Sequence, residues 1–315
     1  MLEVTNILLP VFAVIALGAI LRYSGFASIK VFQQTNRLVY WIGIPAYLFY
    51  KTADSRLQGD AAVRVFAVLF GAMAGTIVLG YILARLLRLP ADSASAFVHG
   101  AFRSNLVYVG LPVVFLALAA RGYEQMAELQ AAAVISIALL VPIYNIAAVL
   151  VLVGGHEGGR EQLPQRLREL VTRLATNPLI LSCVAGLIVL GFGWKLPEPL
   201  RQTCETLGDM TTPLALLGIG AALTFKTLRS YWAGATLSAA IKVFAAPLIG
   251  LLLARWLALS SAEMRMALIF LACPSATVTY IMAQQMGADD GLAANIVVLS
   301  TLLALPSLAV VLTLT

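Results

Sequence analysis

Ten apolar stretches constrain this chain more than any other feature, because each is long enough to cross a hydrocarbon layer as a helix of roughly 20 residues. They fall near 6–22, 35–53, 61–87, 94–120, 129–153, 177–194, 207–226, 231–257, 263–287 and 291–314, separated mostly by short polar turns such as Ala288–Asp290. Of the 315 residues 61% are hydrophobic and 11% charged, with a mean hydropathy of +0.92. A soluble domain carries charge nearer about a quarter. Polar surface is too scarce here to face water, so lipid is the solvent and the expected fold is an all-α polytopic membrane protein. The first 22 residues carry Glu3 where a secretory leader would be basic, and read as a crossing rather than a cleaved signal. The net charge of +6 raises nucleic acid as a partner, but the basic residues stand singly between apolar runs, which argues against it. Cys183, Cys204 and Cys273 have neither CxxC nor histidine-rich spacing, and no cofactor or metal is expected.

The longest interruption, 154–176, opens GGHEGGR and continues EQLPQRLRELVTRL. Leu163, Leu167, Leu170, Val171 and Leu174 share one helical face while Arg166, Arg168 and Arg173 lie elsewhere, the pattern of an amphipathic helix at a membrane surface or of a linker with helical tendency. Placing the N-terminus outside puts these arginines, with Arg85 and Arg88, on the cytoplasmic side, where basic loop residues concentrate. The expectation is an inner-membrane protein with both termini outside and the 154–176 loop inside.

The chain also repeats itself. LARLLRL at Leu83–Leu89 returns as LARWLAL at Leu253–Leu259, Ser136 and Pro142 return as Ser300 and Pro306, and Pro45 as Pro213, all at offsets of about 164–170. This divides the chain into a five-span repeat over 1–153, the linker 154–176 and a second five-span repeat over 177–315. Five is odd, so the second copy enters the membrane from the opposite side, as in the inverted repeats of secondary transporters.

Transporter sites form near the midplane, where interrupted helices free backbone groups for a ligand. The fourth span carries Asn105, Gly110 and Pro112 near its centre; the ninth carries Pro274, followed by Ser275, Thr277 and Thr279. Proline removes a helical hydrogen bond and glycine tolerates an unwound backbone, so both spans are expected to break there and to hold the substrate between them. Two cations lie inside spans: Arg103 two residues before Asn105, and Lys242 near the middle of the eighth. A cation at that depth costs on the order of 3 kcal/mol on insertion scales and faces a partner or a wet cavity. Two buried cations with few buried carboxylates suit a small organic anion, or else a structural pair with Asp209. Tyr108 and Asn145 complete the candidate lining, and Asp209 and His99 are alternative carriers of a coupling proton, with sodium the less favoured ion.

On these residues the chain resembles the auxin efflux carrier family, which joins plant auxin carriers with bacterial transporters of malonate and similar acids. The resemblance spans all ten stretches and is carried by NRLVYWIGIPAYLF at 36–49, RSNLVYVGLP at 103–112, GDMTTPLALLGIGAAL at 208–223, CPSATVTYIMAQQMG at 273–287 and VVLSTLLALP at 297–306. It implies a ten-helix fold like that of sodium/proton antiporters and bile-acid symporters. In that fold spans one, two, six and seven form a scaffold and homodimer contact, and spans three to five and eight to ten form a transport domain with the broken fourth and ninth spans crossed. It further implies an elevator-type motion. Asn105 and Pro112 match the family's fourth-span motif and Pro274 its ninth-span crossover. The long hydrophilic central loop of the plant members is not present: about 22 residues stand in its place. The function expected is a proton- or potential-driven carrier of a mono- or dicarboxylate. The rivals are a sodium-coupled symporter of the bile-acid type and a receptor that binds a carboxylate without moving it. With no HExxH, no GxSxG and two histidines, an enzyme is not expected.

Overall fold

The computed structural model describes residues 2–54, 59–123, 125–154, 178–222 and 228–315. The expected amphipathic helix within 154–176 lies outside the described residues. Among the described residues the chain is helical, with no named strand. Four helices are long and apolar enough to cross a membrane: Asp60–Leu86, Met126–Leu152, Trp232–Trp256 and Asp290–Leu314, the first two of 27 residues and the others of 25. At 1.5 Å per residue each spans more than the roughly 30 Å hydrocarbon core. The apolar stretches near 35–53, 94–120 and 263–287 are each built from shorter helices in succession.

In chain order the helices are α1 (Leu2–Tyr23), α2 (Ile29–Leu38), α3 (Ile44–Ala53), α4 (Gly59–Leu86), α5 (Ala91–Phe102), α6 (Leu111–Arg121) and α7 (Met126–Gly154). They continue as α8 (Pro178–Gly191), α9 (Glu198–Asp209), α10 (Thr211–Ala222), α11 (Leu228–Ala240), α12 (Ala246–Trp256), α13 (Ser261–Ala272), α14 (Val278–Gln285) and α15 (Asp290–Leu314). Wider π-type turns, Val39–Gly43, Leu106–Gly110 and Ile241–Ala245, lead into α3, α6 and α12. Each stands just before a proline in the first turn of the next helix: Pro45, Pro112 and Pro247. A proline has no N–H for the carbonyl four residues back and crowds it, so the turn opens by one residue instead of closing.

Left-handed residues occur at Gly25 and Gly193, at Arg88 and Ala258, and at Gly122 and Gly287, which are 168, 170 and 165 positions apart. At Arg88 the flanking bonds run Leu89 N–H to Ala84 O and Arg88 N–H to Arg85 O; at Ala258 they run Leu259 N–H to Ala254 O and Ala258 N–H to Arg255 O. Both are the same helix-ending cap, imposed even on residues that carry a Cβ.

α1 lies on α10 while α3 lies on α8, and α4 packs on α7 as α11 packs on α15. The α1–α10 crossing is close because glycine allows it: a Cβ on Gly220 would stand 1.7 Å from the Ile15 carbonyl oxygen, and one on Gly18 2.1 Å from that of Leu217. Innermost are α5 and α13. Ser95–Phe102 and Arg265–Ala272 are buried throughout, whereas Val78, Ile82, Leu248 and Leu252 on α4 and α12 face outward to where lipid would lie.

Candidate functional site at two crossed helix breaks

α5 stops at Phe102 and helical structure resumes only at Leu106; α13 stops at Ala272 and α14 starts at Val278. The residue before a proline is driven towards extended backbone. Cys273 accordingly takes φ −62° and ψ 150° ahead of Pro274. On the other segment Arg103 is extended at φ −74° and ψ 95°. The two extended segments pair antiparallel at Ser104 and Ser275. Asn105 N–H donates to the Pro274 carbonyl at 2.8 Å, and Ala276 N–H donates to the Arg103 carbonyl at 3.0 Å. Backbone polar groups freed by both breaks are thus satisfied by each other, as a buried unwound segment requires.

Helix ends of both signs therefore meet here: the negative C-terminal ends of α5 and α13, and the positive N-terminal ends of the Leu106 turn and α14. Asn105 caps its turn, its Oδ1 accepting from Tyr108 N–H at 3.3 Å, while its carbonyl accepts from Gly110 N–H at 3.0 Å across the wide turn. Gly110 has a spatial reason to be glycine, since a Cβ would lie 2.7 Å from the ring of Phe270 on α13.

The side chains follow. Arg103 is 7% exposed; its Nη2 donates to Asn145 Oδ1 at 2.7 Å and its guanidinium lies 5.5 Å from the Tyr144 ring centre, both on α7. Its other terminal nitrogen, Nη1, is buried without an acceptor among the described residues. Ser275 Oγ and Thr279 Oγ1 are 3.2 Å apart, and Ser275 N–H donates to Ser300 Oγ on α15 at 2.9 Å. Thr277 stands half-buried at the start of α14. Lys242 is fully buried, with its Nζ on the Leu271 carbonyl in the last turn of α13.

Most of the residues singled out in the sequence therefore converge on the crossing. Two behave differently. His99, one turn before Arg103, is fully buried against Phe102, with ring centres 5.6 Å apart, and its nitrogens have no hydrogen-bond partner among the described residues. Asp209 is exposed at the end of α9, and the ionisable groups that feel its charge are Tyr47, Tyr50 and Lys51. A pair between Asp209 and Arg103 or Lys242 is not formed, because those cations are engaged by Asn145 and by a helix end. Sequence reasoning missed the support of Ser275 by Ser300 and the ring of Tyr144 beneath Arg103; the matched Ser136/Ser300 pair carried a signal for the first.

Beside the crossing lies a small open groove, lined by Ile44 and Tyr47 of α3, Val107, Leu111, Pro112 and Phe115 near the first break, and Gly208, Thr211 and Ala215. Tyr47 and Phe115 face each other across it at 5.5 Å between ring centres. Its lining is apolar except at Thr211 and the Tyr47 hydroxyl, and its inner wall is the turn that carries Tyr108. Among the described residues no group of three or more His, Cys, Asp or Glu side chains is placed to hold a metal ion.

Residues 3–312 match the family described as "Membrane transport protein". An "Uncharacterized transporter" of Methanothermobacter thermautotrophicus is 24% identical over 309 residues, covering 96% of each chain. A "Putative malonate transporter" of Rhizobium meliloti is 25% identical over 311 residues, covering 96% of this chain and 93% of its own.

Proposed function

Because this chain belongs to the membrane transport protein family, the family of the auxin efflux carriers that its motifs resemble, and is a multi-pass membrane transporter rather than an enzyme, we propose that it is a secondary carrier of a small mono- or dicarboxylate. The observation that carries the proposal is Arg103: a buried guanidinium in the crossing of two interrupted helices, with Nη2 held by Asn145 and Nη1 left open. A guanidinium fork matches a carboxylate, and in a dry site such charge-assisted bonds are strong. The relative named for malonate supports the same ligand class.

Ten crossings in two inverted halves suit this reading. The equivalent residues Ser104 and Ser275 pair antiparallel, the sense expected when one half is inserted opposite to the other. Under that arrangement α1, α2–α3, α8 and α9–α10 form a scaffold and the contact between two copies in the inner membrane. The remaining helices form the transport domain. The groove lies on the seam between the two, at the first turns of α3 and α6, with both termini placed outside and the 154–176 loop in the cytoplasm. Alternating exposure of the crossing, of the elevator type, would carry the anion past the scaffold, driven by a proton gradient or the membrane potential.

Flux into proteoliposomes tests this with a panel of carboxylates that includes malonate, with and without pH, voltage and sodium gradients. Saturable accumulation that follows pH or voltage is expected. Accumulation strictly requiring sodium would favour the symporter reading, and binding without accumulation would favour a receptor.

A further inference from the structure

The second break carries a group that the first lacks. Lys242 is fully buried, its Nζ donates to the Leu271 carbonyl, and no carboxylate pairs with it among the described residues. The last carbonyls of a helix have no intrahelical donor and concentrate the negative end of its dipole. In carriers built on interrupted helices, such ends and the unwound carbonyls beside them are where a dissolved cation is coordinated. Here the chain supplies the cation itself.

The placement of that ammonium is built into the backbone. Pro247 has no N–H for the Val243 carbonyl, which opens the turn at Ile241–Ala245 that holds Lys242. The carbonyl so released accepts from Ser307 Oγ on α15, holding the turn against the transport helices. At the repeat offset of 170, the first half has Ala72 on α4 in place of Lys242, so its break receives no such capping cation. The cation of the first break, Arg103, lies within the unwound segment and keeps one nitrogen open. Lys242 and Arg103 thus have separate jobs: Lys242 neutralises a helix end, and Arg103 remains for a ligand.

We propose that the Lys242 ammonium is a tethered substitute for an alkali cation at the C-terminal end of α13, so that the carrier moves its anion without sodium. The inference rests on the crossing being the transport site, but its test does not need a transported substrate. Melting temperatures of the purified protein are compared in sodium chloride and choline chloride at equal ionic strength, with no carboxylate present. Wild type and Lys242→Arg are expected to melt alike in both salts. Lys242→Ala is expected to melt lower in choline and to recover, saturably, as sodium or lithium replaces it. Lys242→Ser, which adds a hydroxyl ligand in the vacated space, is expected to recover further, and serves where the alanine variant does not fold.

Stabilisation of wild type by sodium over choline would overturn the proposal, and so would uncharged variants that melt identically in the two salts. Predicted melts together with absent carboxylate flux would remove the carrier reading alone. Sodium-insensitive variants alongside normal wild-type flux would remove this inference alone.

Discussion

Replacing Arg103 with alanine isolates the interaction on which the proposed anion recognition rests. The side chain is 7% exposed and has one terminal nitrogen committed to Asn145 at 2.7 Å and the other unpaired. A carboxylate binding there gains a charge-assisted hydrogen bond worth about 1.5–3 kcal/mol. At about 1.4 kcal/mol per factor of ten, its loss raises the apparent KM roughly 10- to 150-fold. Folding is expected to survive, because removing a cation from mid-membrane also removes an insertion cost on the order of 3 kcal/mol. The half-buried Asn145 amide regains partners from water that enters the vacated space. Initial rates of carboxylate exchange in proteoliposomes, measured against concentration and normalised to inserted protein, separate KM from maximal rate. Arg103→Lys keeps the charge without the planar fork and is expected to fall between wild type and alanine. An alanine variant with normal KM and normal maximal rate would refute the assignment.

Other expectations follow from the same geometry. Asn105→Ala removes the cap on Tyr108 N–H and is expected to cost about 1 kcal/mol of local stability and to lower flux while expression is retained, read by uptake against membrane yield. Gly220→Ala must push α1 from α10, since its Cβ would meet the Ile15 carbonyl at 1.7 Å; its melting temperature or folded yield is expected to fall sharply, and an unchanged melt would contradict the packing described. Asp209→Asn is expected to leave the pH dependence of flux unaltered, because that carboxylate is exposed at the end of α9 and pairs with neither Arg103 nor Lys242. In the first turns of α9, hydrogen bonds from Arg201 and Gln202 hold the Glu198 carboxyl at about 2, below its ordinary 4.5. The folded value is depressed, so this pair's contribution is in place above the ordinary value and is lost only as pH falls towards the lower one. Glu198→Gln should therefore leave the pH profile of flux near neutrality unchanged.

The breaks were legible because proline and glycine act on the backbone locally. Pro112 opens the turn ahead of α6 and Pro274 extends Cys273 ahead of α14, and the offset of 170 between LARLLRL and LARWLAL is also that between the left-handed caps at Arg88 and Ala258. Destinations of polar side chains were less legible, since they depend on which helices meet. Ser136 and Ser300 match in sequence, yet Ser136 Oγ donates to the Ala62 carbonyl between α7 and α4, while Ser300 Oγ receives the Ser275 N–H at the crossing. Asp209 looked intramembrane because an apolar run follows it directly. In the structure it closes α9 one residue before α10 resumes the chain, and that junction leaves it exposed. Lys242 was found as a buried cation, but its partner is a backbone carbonyl, and no residue type in the sequence announces that.

Thiol labelling at the crossing from each face of the membrane tests the central claim most directly. With Cys183, Cys204 and Cys273 replaced by serine or alanine, Thr277→Cys places one thiol at the start of α14, and a membrane-impermeant maleimide is applied to right-side-out and inside-out vesicles in turn. The account predicts labelling from both faces, suppressed by a transported carboxylate in the wild-type background and not with Arg103→Ala. Labelling from one face only, indifferent to carboxylate, would contradict a shared mid-membrane anion site that opens alternately to the two sides.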